Sequence, residues 1–156
     1  MNELKKQGRK NVIKIAKVRD NATIPQFQTS GAAGVDLHAC ISHSTLIAPN
    51  ETVLIPTGIA MDIPSGWTGL IMPRSGLGHK HGIVLGNLIG VIDSDYRGEV
   101  QVSIWNRGGE VYKINPNDRV AQMVFVPLAS VGGFIEVDSL NNDTTRNSQG
   151  FGTTGT

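Results

Sequence analysis

Long hydrophobic runs are missing from this chain of 156 residues. No stretch of about 20 apolar residues occurs, which excludes a membrane-spanning helix. No apolar segment opens the N-terminus, so export through a cleaved leader is not expected. Cysteine is almost absent. The single Cys40 rules out an internal disulfide and a cysteine-based zinc site, and its place in the run 35–41 reads as a small core residue. Charge is scarce too: Asp, Glu, Lys and Arg make up 17% of the chain, and the formal net charge is +1. No strong field therefore invites nucleic acid or an acidic membrane surface. Helical periodicity is also lacking, since no window of about 11 residues carries a convincing 3.6-residue repeat. These absences leave a soluble, cytoplasmic protein built mostly of strands as the expectation.

Glycine is plentiful, with 19 residues, and together with the low charge it points to strands joined by many turns. Strands are predicted over residues 12–18, 35–41, 52–55, 58–63, 67–72, 111–114, 120–126 and 134–137, several of them closed by proline. Short strand, turn, short strand throughout favours an all-β barrel or sandwich, with at most one short helical turn at 75–80. The length suffices for one domain with a real core. Residues 1–11 hold Lys5, Lys6, Arg9 and Lys10 and almost nothing apolar, and read as a disordered basic tail. Residues 12–140 hold the strands. Residues 141–156 are polar and glycine-rich, with Phe151 as their one large apolar side chain, and read as a flexible C-terminal arm.

The central stretch is GVIDSDYRGEVQ, Gly90 to Gln101. An apolar run (83–92) enters it and an alternating run (100–105) leaves it. Between them, Asp and Ser bond their own backbone and Gly98 supplies a positive φ. The local reading is a β-hairpin with Asp93, Asp95 and Tyr96 near its tip; taken alone, a solvated turn is the simpler account. In PRSGLG (73–78), Arg74 offers a planar fork suited to phosphate. Ser75 adds a hydroxyl donor, and Gly76 lets amides approach an anion, the more so if a helical turn starts there. An ordinary turn after a strand is the alternative. His79-Lys80-His81 sets two histidines two apart with no carboxylate partner, and reads as a surface turn rather than a metal site. AGVDL (33–37) places Asp36 inside an apolar strand, where a carboxylate is costly unless paired. A guanidinium or a hydrated metal would satisfy it equally well.

With RVAQ (119–122) and RNSQGFGTTG (146–155), these stretches resemble the trimeric dUTP pyrophosphatases, the dUTPases. That family is marked by five motifs in fixed order, read here as AGVDL, PRSGLG, GNLIGVIDSDYRGEV (86–100), RVAQ and RNSQGFGTTG. The likeness covers nearly all of residues 12–156. It implies a jelly-roll-like β barrel of the β-clip type, assembled as a homotrimer with three sites at subunit interfaces. The implied reaction is hydrolysis of dUTP to dUMP and pyrophosphate, with Mg²⁺ held by the triphosphate. That would keep uracil out of DNA and supply dUMP for dTMP synthesis.

The resemblance also implies roles. Asp93 activates the water that attacks the α-phosphorus. Tyr96 packs on the deoxyribose and excludes a 2′-hydroxyl. Asn87 and the main chain of Gly90, Val91 and Ile92 read uracil, because a wrong base leaves buried polar groups unpaired. Gln101 touches the nucleoside. Arg74, Ser75 and Gly76 hold phosphate oxygens as charge develops, and Gln122 contacts the phosphates across the interface. Asp36 reaches Mg²⁺ through water. In the last motif Arg146 meets the γ-phosphate and Phe151 stacks over uracil, with Gly152 and Thr153 beside it. Asn147 and Gln149 depart from the family's glycines, which bears on how the arm closes. One alternative is dCTP deaminase, a related barrel in which a Glu serves as base; no Glu stands in the corresponding place here. The other is a nucleotide-sensing module without turnover, against which Asp93, Ser75 and Arg146 argue.

Overall fold

The computed structural model describes residues 12–141, 143 and 144; the expected basic tail and all but the first residues of the C-terminal arm lie outside them. The element order is β1 (Lys14–Lys17), β2 (Gly34–His38), β3 (Thr45–Ile47), β4 (Thr52–Pro56), β5 (Ile59–Asp62), β6 (Trp67–Met72), α1 (Ser75–His81), β7 (Ile83–Leu85), β8 (Gly90–Ile92), β9 (Gln101–Asn106), β10 (Tyr112–Ile114) and β11 (Arg119–Pro127). All ladders are antiparallel. The chain is all-β and jelly-roll-like, as expected. Among the described residues, however, the ladders do not close into one continuous barrel. They form sheets β2-β11-β6-β8 and β4-β9-β7 and the pairs β1-β5 and β10-β3. No described helix is long and apolar enough to cross a membrane.

Alternation builds the core. Along β9, Val102, Ile104 and Asn106 turn inward while their neighbours face out, as a half-buried strand requires. Leu37, Ile47, Ile55, Ile59 and Met123 join the same apolar cluster. Buried Asn106 is satisfied: its Nδ2 donates to the carbonyls of Ile47 (2.9 Å) and Glu110 (2.7 Å), and its Oδ1 accepts the Gly108 N–H at 2.9 Å. Cys40 is a core residue, as read, and its Sγ donates to Asn21 Oδ1 at 2.9 Å. Helix α1 ends at Gly82, whose φ of 69° is left-handed. A Cβ there would come within 2.7 Å of the Gly108 amide nitrogen.

Two expectations need correction, and one strand went unread. The runs 83–92 and 100–105 pair only in part: Ile83–Leu85 lies antiparallel to β9, but Gly90–Ile92 does not, so no hairpin closes over 93–100. β8 pairs with β6, and β9 pairs with β4 and β7, so residues 93–100 cross between sheets. Residues 134–137 form no strand: Phe134 is 99% and Ile135 89% exposed, because no strand among the described residues lies alongside to receive them. β3 went unread because three residues are too few for a pattern.

Candidate active site

Four of the five motifs meet on one sheet. β2 carries Asp36, β11 carries Arg119 and Gln122, β6 leads into Pro73-Arg74, and β8 leads into Asp93; these strands are neighbours in that order. Gln122 stands opposite Asp36 on one side and Met72 on the other.

At one end of the sheet two guanidiniums converge on Asp36. Arg74 Nε lies 3.0 Å from Oδ1 and Arg119 Nη1 lies 3.2 Å from Oδ2, with the Asp36 side chain only 15% exposed. Of the two ways to satisfy this carboxylate, the guanidinium pairing is the one present, twice over. Arg74 Nη1 also donates to the Arg119 carbonyl at 2.9 Å, and Gln122 Nε2 donates to the Pro73 carbonyl at 2.9 Å. Ser75 and Gly76, the first residues of α1, are exposed beside this frame. Next to it, burial pushes the His38 imidazole below its ordinary pKa. Asp36 opposes that, and Arg119 and Arg74 reinforce it. Its Nδ1 is buried without a hydrogen-bond partner among the described residues.

At the other end lies an opened connection. β7 is the edge of the three-stranded sheet and β8 the edge of the four-stranded one, and the two are unpaired with each other. One side of β8, Gly90 to Ile92, thus keeps main-chain donors and acceptors outside any ladder. In the link, Asn87 is exposed, its carbonyl accepts the Ile89 N–H at 2.7 Å, and Leu88 holds a φ of 64°. Thr68 Oγ1 donates to the Ile92 carbonyl at 2.9 Å, and Asp93 follows directly. Asp93 is exposed, and its carboxylate has no hydrogen-bond partner among the described residues. The Asp93 carbonyl accepts the Tyr96 N–H at 3.2 Å, closing a turn. The Tyr96 hydroxyl donates to the Glu99 carbonyl at 3.0 Å. Its ring rests on Gly98, where a Cβ would stand 2.6 Å from Cζ. Gln101, exposed at the start of β9, reaches Glu99 Oε2 only at 3.5 Å.

The two ends are far apart within one chain. Ile92 lies opposite Gly69, so Asp93 falls beside Thr68, six residues before Arg74; at ~3.3 Å per residue this is about 20 Å. Asp93, Tyr96 and the edge of β8 are brought together, as are Asp36, Arg74 and Gln122. The two groups are not brought together with each other. Sequence reasoning left Arg119 out of the site, although its position opening RVAQ was a signal. It also missed Arg19 and Glu99, whose pairing across 80 residues has no local signature. Arg146, Phe151, Gly152 and Thr153 lie outside the described residues. His79, Lys80 and His81 form the last turn of α1, with the His81 ring 5.2 Å from that of Tyr112. No cluster of three His, Cys, Asp or Glu able to hold a metal occurs among the described residues.

Comparison with known proteins gives this arrangement its context. The family model for dUTPase matches residues 20–155. A deoxyuridine 5′-triphosphate nucleotidohydrolase of Hahella chejuensis is 54% identical over 134 residues, covering 85% of this chain and 87% of that protein. One of Nitrosospira multiformis is 52% identical over 144 residues, covering 92% and 95%. Among solved structures, a point mutant of the dUTPase of Staphylococcus bacteriophage 80alpha, with dUpNHpp, matches at a TM-score of 0.84 and 24% identity, covering 93% of this chain and 99% of that one. A mutant dUTPase from phage phi11 of S. aureus, described for its coordination of a structural Mg(II) ion, matches at 0.73 and 26%, covering 83% and 98%. The fold is thus of the all-β class of these enzymes, with carboxylates, guanidiniums and a free strand edge gathered on one sheet. The chain belongs to the dUTPase family.

Proposed function

We propose that this protein hydrolyses dUTP to dUMP and pyrophosphate in sites shared between the subunits of a homotrimer. The observation that carries the reading is the sequence of groups along β8 and the loop behind it: a free strand edge, then Asp93, then the tethered Tyr96 ring. The edge of β8 and Asn87 pair with the polar edge of uracil, and Tyr96 lies against the deoxyribose where a 2′-hydroxyl would collide. Asp93 takes a proton from a water molecule whose oxygen attacks the α-phosphorus. The bond from the α-phosphorus to its bridging oxygen breaks, pyrophosphate leaves with that electron pair, and Asp93 releases its proton to solvent. Arg74, Ser75 and Gly76 hold the departing phosphates, where fixed donors matter most as charge develops.

The ~20 Å between Arg74 and Asp93 supports a shared site, because one triphosphate cannot engage both within a single chain. Exposed apolar side chains support assembly as well. Leu128, Val131, Phe134, Ile135 and Leu140 lie out in solvent, and an apolar groove of about 420 Å³ is lined by Ile13, Phe27, Val35, Trp67 and Phe125. Arg146 and Phe151 are assigned to the γ-phosphate and the uracil face through the family likeness. Mg²⁺ enters as part of the substrate, carried by the triphosphate. Both Asp36 oxygens are engaged by arginines, so the described residues do not fit a resident metal; Asp36 touches the ion through water at most.

The test is a panel of dUTP, UTP, dTTP and dCTP with the purified protein, with sedimentation for the trimer. Asp93→Asn keeps the shape and loses the proton acceptor, so it should bind dUTP but lose about 10²–10⁴-fold in kcat. Near-normal turnover would exclude Asp93 as the base, and ammonia from dCTP would mark a deaminase instead.

A further inference from the structure

The loop 93–100 joins strands in different sheets, and main-chain bonds to the rest of the fold hold only its last residue, Val100, whose N–H donates to the Ile59 carbonyl at 2.8 Å and whose carbonyl accepts the Thr57 N–H at 3.2 Å. Its shape depends on tethers at its two ends. At the first end, Arg97 Nη1 donates to the carbonyls of Ser94 (2.6 Å) and Tyr96 (3.1 Å), and Arg97 Nη2 reaches Asp62 Oδ1 at 2.8 Å. At the second end, Arg19 grips Glu99 with both prongs, Nε to Oε1 at 2.6 Å and Nη2 to Oε2 at 2.9 Å. The Glu99 side chain is 16% exposed, and Oε1 also accepts the Gly58 N–H at 2.8 Å. Arg19 itself follows Val18, whose N–H donates to the Gly58 carbonyl at 2.8 Å. Glu99 is therefore pinned between the turn before β5 and the chain after β1. Its carbonyl is the acceptor for the Tyr96 hydroxyl.

We propose that the Arg19–Glu99 pair is a positioning device for Tyr96, setting the pose of the ring that discriminates the sugar; this rests on the dUTP reading above. Neither residue is among those assigned above to the nucleotide. The Val100 N–H bond to Ile59 holds one side of the Glu99–Val100 peptide unit and the bidentate pair holds the Glu99 side; together they set where the Glu99 carbonyl stands, that carbonyl fixes the phenol, and Gly98 supplies the floor on which the ring lies. A bidentate carboxylate–guanidinium contact has the directional rigidity this needs, which a single ammonium contact lacks. Loosening the pair leaves the tyrosine present but free to swing, so the loss appears as selectivity rather than as turnover of dUTP.

The experiment compares kcat/KM for dUTP and UTP in the full-length protein and in Arg19→Met, Arg19→Lys, Glu99→Gln, Tyr96→Ala and the Arg19→Met/Tyr96→Ala double variant. Arg19→Met should lower the dUTP:UTP ratio by about tenfold, an order below the ~10²-fold that a 1 Å misplacement can cost in catalysis. Arg19→Lys should recover part of the ratio, and Glu99→Gln should reproduce the loss should Arg19→Met fail to fold. In the Tyr96→Ala background, Arg19→Met should change the ratio no further, a coupling that general destabilisation would not produce. Two results overturn the proposal while leaving the gate intact. One is a ratio moved by Tyr96→Ala but not by Arg19→Met or Glu99→Gln. The other is an equal loss from Arg19→Met with and without Tyr96. A ratio untouched by Tyr96→Ala would remove the gate itself, and this inference with it.

Discussion

Replacing Asp36 by Ala would take the anion from between Arg74 and Arg119. Two contacts at 3.0 and 3.2 Å would be lost. A hydrogen bond to a charged group contributes about 1.5–3 kcal/mol when shielded, whereas exposed ion pairs contribute about 0–1 kcal/mol. Arg119 is 49% and Arg74 27% exposed along their side chains, so the first pair falls near the lower range and the second between the two. The sum is about 2 kcal/mol, or ~4–8 °C in Tm for a chain of this size. Arg74 would keep only its bond to the Arg119 carbonyl, so its fork would no longer be aimed. Loss of an oriented donor to a developing oxyanion costs about 10²–10³-fold; an Arg that is loosened rather than deleted should lose about tenfold or more in kcat/KM. Calorimetry and pyrophosphate release across a Mg²⁺ series measure both effects. Unchanged Tm and kcat/KM would refute the idea that Asp36 holds Arg74. Full recovery of kcat/KM at saturating Mg²⁺ would assign Asp36 to the ion instead.

Two further outcomes are expected. Gly98→Ala drives a Cβ into the Tyr96 ring, so the ring must leave its floor and its bond to Glu99, a net loss of about 1 kcal/mol; UTP should gain on dUTP in steady-state assays, and an unchanged ratio would show that the ring pose does not matter. Stability should also fall in acid. The Arg19 hydrogen bond holds the Glu99 carboxyl below its ordinary range against the opposing effect of burial, with the Gly58 amide and Gln101 assisting. A folded pKa below the unfolded value, about 4.3, means stabilisation that is complete above that pH and lost as pH falls through the folded value. His38, held low chiefly by burial, has the same sign, starting below about pH 6.5. Thermal melts from pH 8 to 3 should decline in both windows, and Arg19→Met should flatten the lower one.

Much of this protein was legible from local pattern. Trp67–Met72 is a strand over the span its β-branched and aromatic run indicated, and Pro73-Arg74 does open the helix that follows. The types and order of the side chains in the motifs are carried by the sequence alone, because the chemistry of a carboxylate or a guanidinium does not depend on its neighbours. Which groups meet does depend on them. Residues 83–92 and 100–105 looked fit to pair along their length, but only Ile83–Leu85 pairs with β9; Gly90–Ile92 leaves for the other sheet, because it has a better partner in β6. Asp36 could have faced a metal or an arginine, and only the register of β2 on β11 and of β11 on β6 brings Arg119 and Arg74 to it. Residues 134–137, Phe-Ile-Glu-Val, have the composition of a strand and no ladder to join among the described residues, since pairing and burial are properties of the surroundings. The antiparallel sense of β6 and β8 likewise puts Arg74 and Asp93 at opposite ends of one sheet, a separation that no spacing along the sequence records.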